Sequence, residues 1–445
     1  MGTAGSLRRW QVLASAAYYA VVWFLGLQSG LVGPTLGGIA EVLGEESGTA
    51  LAPMFTCRAV GFLSGTLLVG VVFDTSPRQH VTLAIAAAGL AAGLATIPQL
   101  TSLSVYYALH VPLGVCLGFV DTGVNLLILD AWKGGNSTPA MNLLHFMWGV
   151  GSFMSPLLLT FLSVPSSFLV VAACGAASAT LPLLLPSPAT RNPHKLAERK
   201  AAQQQKQQKH ARQAAGQDEK PDPAAEGGLF LLPTAGGFFM FFFYVGLEAG
   251  YGSWLATYMV EQRITDAEGA AIYTSCYWGA LTAGRLLAVP IAVYVPPATL
   301  ITMDLLGACI STGLFLLTES SAASLLVVSV AIGLSLASIF ASTLAVAETR
   351  MPFTGRRASI CIAGASSGEV VLPLLIGALF DRFGVRVFPA CVFVFAALMC
   401  CSFAVLVTRP RYVSVDAADV AVEDGAKREQ DEETEGLISH EASGE

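Results

Sequence analysis

Charge is scarce in this chain. Only 12% of its 445 residues are Asp, Glu, Lys or Arg, about half the share of a soluble domain. The mean hydropathy is +0.63, and apolar runs of about 20 residues, the length needed to cross a bilayer, recur throughout. Together these exclude a soluble globule and imply a polytopic membrane protein. Cysteine does not build a disulfide framework, because all nine (Cys57 to Cys401) fall in expected helices rather than loops. No GxxxxGK[ST] phosphate-binding loop occurs, which argues against ATP-driven pumping by this chain. No enzyme site or basic nucleic-acid surface is present. The first apolar run continues to about Leu36, too long for the core of a cleaved signal. The net charge of -7 is mostly a tail effect, since eleven of 31 acids follow Arg409.

What the chain does have is polar chemistry inside apolar helices. Gly118 to Pro156 reads GFVDTGVNLLILDAWKGGNSTPAMNLLHFMWGVGSFMSP. Asp121 and Asn125, at i and i+4, share one helical face, and Asn142 and His145, at i and i+3, share another. A carboxylate at membrane depth turns toward a water-filled cavity, a partner or an ion. This stretch is expected to build half of a solute pathway.

Twelve spans are expected, near 10–36, 51–73, 80–98, 104–130, 139–162, 165–185, 229–259, 269–290, 297–317, 322–347, 357–380 and 384–407. They form an all-α protein with an N-terminal bundle over 1–185 and a C-terminal bundle over 229–408. Between them, residues 186–228 hold seven Gln, eight Lys or Arg and no aromatic residue, and read as a solvated, partly helical linker. Residues 409–445 read as a disordered acidic tail. With the N-terminus in the cytosol, inside segments hold 19 Lys and Arg and outside loops three (Arg263, Arg382, Arg386), which places both termini inside. The sequon Asn136-Ser137-Thr138 then faces the cytosol, unused.

The halves repeat. Gly26-Leu27-Gln28-Ser29-Gly30 returns as Gly246-Leu247-Glu248-Ala249-Gly250, Gly61 as Gly279, Gly151 as Gly368 and Pro156 as Pro373. Two six-helix repeats joined by a polar linker resemble the major facilitator superfamily, whose site lies between the halves near the midplane. Gly70-Val71-Val72-Phe73-Asp74, then Arg78, resembles that superfamily's loop after its second helix, with Pro77 replacing the usual Gly. A narrower likeness follows. GFVDTGVN, NLLHFMWGVGSFMSPLL, YVGLEAGYGSWLATY, WGALTAGRLL and GEVVLPLLIG resemble the sodium-dependent glucose transporter-like members, relatives of bacterial fucose–proton symporters.

That likeness implies alternating access, with a hexose or similar small polar solute moved together with a proton or sodium ion and no bound cofactor. The family's fourth-helix acid, followed four residues later by Asn, matches Asp121 and Asn125. Its first-helix acid is absent: Gln28 stands there, and Glu248 in the other half is the candidate replacement. Asp121, Glu248 and Glu369 are the candidate cation-coupling acids; each is otherwise structural. Gln28, Asn125, Asn142, His145, Tyr244, Tyr251 and Trp254 are candidate solute contacts, against helix–helix bonding or an interfacial aromatic belt. Arg285 and Glu348 are expected at one level near the inner face, as a gate that makes and breaks or as a permanent pair. Asp74 is expected at a helix end of that gate. Arg58 lines the outer vestibule or snorkels. Met1-Gly2 with Ser6 fits a myristoylation pattern, and Glu433 with Leu437-Ile438 resembles a signal read by sorting adaptors, which keeps plasma membrane and endolysosome both open. An uncoupled facilitator and a non-transporting sensor on the same fold are the rival readings.

Overall fold

A computed structural model describes residues 3–45, 48–51, 53–159, 161–214, 223–317 and 321–408. The myristoylation pattern's Met1-Gly2 and the tail motif at Glu433, Leu437 and Ile438 lie outside the described residues. Among the described residues fifteen α-helices follow in order. The first bundle holds α1 (Thr3–Val42), α2 (Pro53–Thr75), α3 (Gln79–Thr96), α4 (Leu103–Ala131), α5 (Thr138–Leu158) and α6 (Val164–Thr180). The linker adds α7 (Pro188–Arg191) and α8 (Pro193–Ala214). The second bundle holds α9 (Pro223–Glu261), α10 (Ala267–Tyr294), α11 (Pro297–Leu317), α12 (Ala322–Leu336), α13 (Ile339–Glu348), α14 (Gly355–Phe383) and α15 (Phe388–Val407).

Eleven stretches among the described residues are long and apolar enough to cross a membrane, α12 and α13 together forming one of them. The twelfth helix of the fold is α5, whose 21 residues include Asn142, His145, Ser152 and Ser155. These polar groups lower its hydropathy because the helix faces protein. The tenth span was expected as one helix. It breaks instead at Ala337-Ser338, where Ser338 leaves the helical region at φ −104°, ψ 2°.

Glycine sets the packing within each bundle, and the sequence repeat is a structural one. Gly26 of α1 lies on the Trp148 carbonyl of α5, with Gly151 seated on Trp23 in return. In the second half Gly246 of α9 meets Gly368 of α14, itself against the Phe242 carbonyl. Likewise Gly114 of α4 rests on the Arg58 carbonyl, and Gly333 of α12 on that of Tyr277. A side chain at these places would strike main chain, so small residues let the helices touch, as membrane packing favours. The halves meet mainly through α2 with α14 and α5 with α10.

The first part of the linker is docked rather than free. Asn192, fully buried, donates from Nδ2 to the carbonyls of Asp130, Ala131 and Lys133 at 2.9, 3.1 and 3.2 Å. The first two belong to the C-terminal turn of α4, where carbonyls lack intrahelical donors, and the third lies just past its end. Arg199 donates to the Ser76 carbonyl at 2.9 Å, and Trp10 to that of Pro186 at 2.9 Å.

Candidate functional site

α4 crosses α2 by two matched glycine pairs, Gly61 and Gly65 against Gly114 and Gly118. That contact consumes one face of α4. Asp121 is half-buried, on the membrane-depth part of the helix. It forms no ion pair among the described residues. Asn125 is buried and donates from Nδ2 to the Asp121 carbonyl at 2.9 Å. Its Oδ1 is enclosed without a partner, and a buried unpaired acceptor is costly enough to need a reason.

Glu369 faces this region from α14. Fourteen residues from Gly355, it lies about 21 Å along the helix. It is exposed, yet nine positions of about 100° each place it opposite the outward-facing Ile360. Its exposure is therefore to an internal cleft between the halves. The Arg58 charge acts on Glu369 from α2, and Glu369 in turn acts on Asp121. Arg58 also donates to Gln28 Oε1 at 3.1 Å, while Gln28 Nε2 donates to Ser29 Oγ at 2.7 Å. Gln28 and Glu369 thus share one cation, Arg58, and Asp121, with Asn125 beside it, lies on the far side of Glu369. Arg58, expected to line the outer vestibule or to snorkel, instead bonds Gln28 and faces Glu369.

Glu248 is spoken for. Arg285 Nη2 lies 3.2 Å from both of its carboxylate oxygens, with the two side chains only 7% and 12% exposed. The same nitrogen reaches Tyr244 Oη at 3.5 Å, and Tyr277 donates to the Glu248 carbonyl at 2.9 Å. This corrects the expected partnership of Arg285 with Glu348. Arg285 sits nine residues before the end of α10, about 14 Å deeper than a residue at a helix end, whereas Glu348 is the last residue of α13.

Tyr251 and Trp254 also lie elsewhere than expected. Tyr251 is wholly buried within the second bundle, bonded to Ser329 Oγ at 2.8 Å and packed on Tyr277, Phe315 and Phe388. Trp254 donates to the Pro373 carbonyl at 2.8 Å and packs on Phe380, so it joins α9 to α14. Tyr244 is buried beside the ion pair. Asn142 is turned onto its own helix, donating to the Thr138 carbonyl at 3.1 Å. His145 does reach the seam: its ring lies 4.4 Å from that of Phe340 on α13, and its Nε2 is enclosed without a partner.

The linker-side end of the molecule is shut by bonds between the halves. Asp74 accepts from the backbone N–H groups of Gly355 and Arg356, at 2.6 and 3.0 Å, and so caps α14. Gly70 and Gly355 make the approach possible, each lying against the other's main chain. Asn136 donates to the Ala292 carbonyl at 2.5 Å, so the sequon is occupied by a contact. Lys133 pairs with Glu348 of the second half at 3.6 Å and with Glu198 of the linker at 2.5 Å, and Lys195 pairs with Asp130 at 2.8 Å. Burial opposes the Lys195 ammonium, but Asp130 and Glu198 outweigh it and hold its pKa above the usual lysine range. Lys195 and Glu198 were not foreseen, because linker residues of this composition suggest solvent, and Lys133, in the short loop after α4, had no partner in view without them.

Comparison with known proteins now bears on this geometry. A family model described as the Major Facilitator Superfamily matches residues 18–353. A Danio rerio protein, sodium-dependent glucose transporter 1, is 33% identical over 390 residues, covering 84% of this chain and 65% of that protein. Sodium-dependent glucose transporter 1A of Mus musculus is 30% identical over 378 residues, covering 81% of this chain and 88% of that protein. The crystal structure of the E. coli fucose:proton symporter shares the fold, with a TM-score of 0.69 at 13% identity over 90% of this chain and 98% of that one. Polytopic helices, a glycine-built internal repeat and a polar cleft between the repeats agree with these matches: the chain belongs to the Major Facilitator Superfamily, a superfamily of membrane transporters rather than enzymes.

Proposed function

We propose that this protein is a secondary active transporter that moves a hexose-class sugar together with a proton or sodium ion. One observation carries the coupling. The central region holds three carboxylates (Asp121, Glu248, Glu369) and two guanidiniums (Arg58, Arg285). Glu248 takes Arg285, and Glu369 faces Arg58. Asp121 is left over, half-buried in the cleft and without an ion pair among the described residues. A carboxylate at membrane depth without a countercharge is a place for a cation to bind and leave. The sugar class is supported by the names of the relatives and by donors and acceptors that still lack partners, Asn125 Oδ1 and His145 Nε2. Sugar hydroxyls both donate and accept and suit such atoms. The gate at the linker side, built by Asp74 and Glu348, is closed while Glu369 is exposed, which suits one state of an alternating-access cycle. The two six-helix bundles would rock about this site, with linker and both termini in the cytosol.

The test is uptake of labelled glucose into proteoliposomes under an imposed proton or sodium gradient. Concentrative uptake under one gradient is expected and identifies the ion. Asp121→Asn should reduce accumulation to the equilibrium ratio while glucose exchange persists. Accumulation unchanged in that variant removes Asp121 from coupling. A folded wild type that moves no glucose under either gradient overturns the sugar assignment.

A further inference from the structure

One intramembrane acid takes no part in the central cleft. Asp304 is seven residues into α11, about 10 Å from the linker-side end. It is half-buried, and Ser338 Oγ donates to its Oδ2. It forms no ion pair among the described residues. The elements packed on α11 are α12, α13 and α15. None of these four helices contains a single Lys, Arg or His. The titratable groups they offer are few. α12 has none. α13 has Glu348 at its far end, paired with Lys133. α15 has Cys391, Cys400 and Cys401, and Cys400 lies 3.3 Å from Cys309 of α11. Among the described residues of these helices no cation is at hand for Asp304, so its charge state rests on a proton and one hydroxyl.

The hydroxyl is placed at a hinge. Ser338 is buried at the break of the tenth span, where the Ala337 N–H bonds to the Leu334 carbonyl three residues back instead of four. One turn earlier, Ser335 of α12 presses on Gly307 of α11, which fixes the part of the span before the break. The part after it, α13, is an arm. Phe340 near its root packs on His145 of the first half, and Glu348 at its tip pairs with Lys133. What holds Ser338 therefore bears on how α13 meets the first half.

We propose that Asp304 is a second protonation site, separate from the central cleft, that clasps this hinge. Ionised, it holds Ser338 by a charge-assisted hydrogen bond and keeps α13 against the first half. A proton taken from water onto the carboxylate turns that bond into a neutral one, about half as strong. α13 is then freer to swing, and the linker-side contacts part. The link from swinging arm to transport rests on the alternating-access reading; the clasp does not.

The experiment is hydrogen exchange read by mass spectrometry on the full-length protein in lipid nanodiscs, at pH 7.5 and 5.5, corrected for intrinsic rates. In the wild type, amides of Ile339–Glu348 should exchange about fivefold faster at the lower pH, the factor expected from losing a modest bond. α3 and α6 should not change. In Asp304→Asn and Ser338→Ala the same amides should exchange fast at both values. Ser338→Ala keeps the acid and removes only the donor, so it carries the test if Asp304→Asn does not fold. Wild-type exchange equal at both pH values, or a full pH response retained in either variant, overturns the clasp. Glucose exchange measured in parallel separates the two ideas: its absence with a normal exchange response counts against the transport reading alone.

Discussion

The two halves use one scaffold for different chemistry. Gln28 and Glu248 occupy matching places 220 residues apart, each on a helix pinned by glycine to its neighbour. Gln28 accepts from Arg58 of α2, in the same half. In the second half Tyr277 takes the place against Gly333 that Arg58 takes against Gly114; its hydroxyl donates to the backbone of Glu248, and a different residue, Arg285, meets the carboxylate. Asp121 likewise has Phe340 as its counterpart, 219 residues on. Backbone contacts are thus repeated, and charges are not. The second half neutralises Glu248 from within, whereas the first turns Arg58 toward an acid of the other half and leaves Asp121 without an ion pair among the described residues. Duplication sets where helices touch; divergence decides which half titrates.

Breaking the second half's pair tests this most severely. Glu248→Gln or Arg285→Gln leaves one buried charge alone, at a cost of about 3–5 kcal/mol. A large drop in thermal unfolding temperature is expected, partly restored in the double variant, where neither charge remains. Equal stability of the single variants would show that the pair is solvated and the halves less different than described.

Next in size is a pair of glycines that the repeat equates but the packing separates. An added methyl at Gly61 strikes the Val111 carbonyl, whereas Gly279 has nothing within 4 Å. Gly61→Ala should cost about 1–3 kcal/mol through overpacking. Gly279→Ala should be neutral or stabilising by up to about 1 kcal/mol, because alanine favours helix. Thermal unfolding of the two proteins side by side gives the comparison.

The gentlest change makes the first half resemble the second. Gln28→Glu should give Arg58 an ion pair of its own and weaken its hold on Glu369. The half-saturating cation concentration for uptake should move by less than about tenfold, or about 1.4 kcal/mol, with no loss of folded protein. An unchanged cation dependence would uncouple Arg58 from the site.

Much of this was legible in the chain. Span lengths and the glycine repeat pointed to the fold, and the intramembrane acids Asp121 and Glu369 were visible as polar groups within apolar helices. Tyr244, Glu248 and Tyr251 fall at i, i+4 and i+7 and share one face of α9, but spacing cannot say which neighbour that face meets; for Tyr251 it is the bundle core. Arg285 was assigned to the wrong acid because depth along a helix was judged from span ends, and Glu348 lies at such an end while Arg285 does not. The break at Ala337-Ser338 contains neither Pro nor Gly, so no residue announced it. The docking of Asn192 answered a need of α4, carbonyls at a helix end, that is visible only once the end is in place.

The lock formed by Asp74 has a further meaning. Its partners on the second half are main-chain N–H groups, not side chains. Position 356 can therefore vary to anything but proline without loosening it, and only Gly70, Asp74 and the glycine at 355 are held to type. A closure written mostly in backbone is portable. Halves exchanged between related transporters, joined within the linker, should still latch when both parents carry those three residues, which makes chimeras a practical way to assign substrate and ion selectivity to one half or the other.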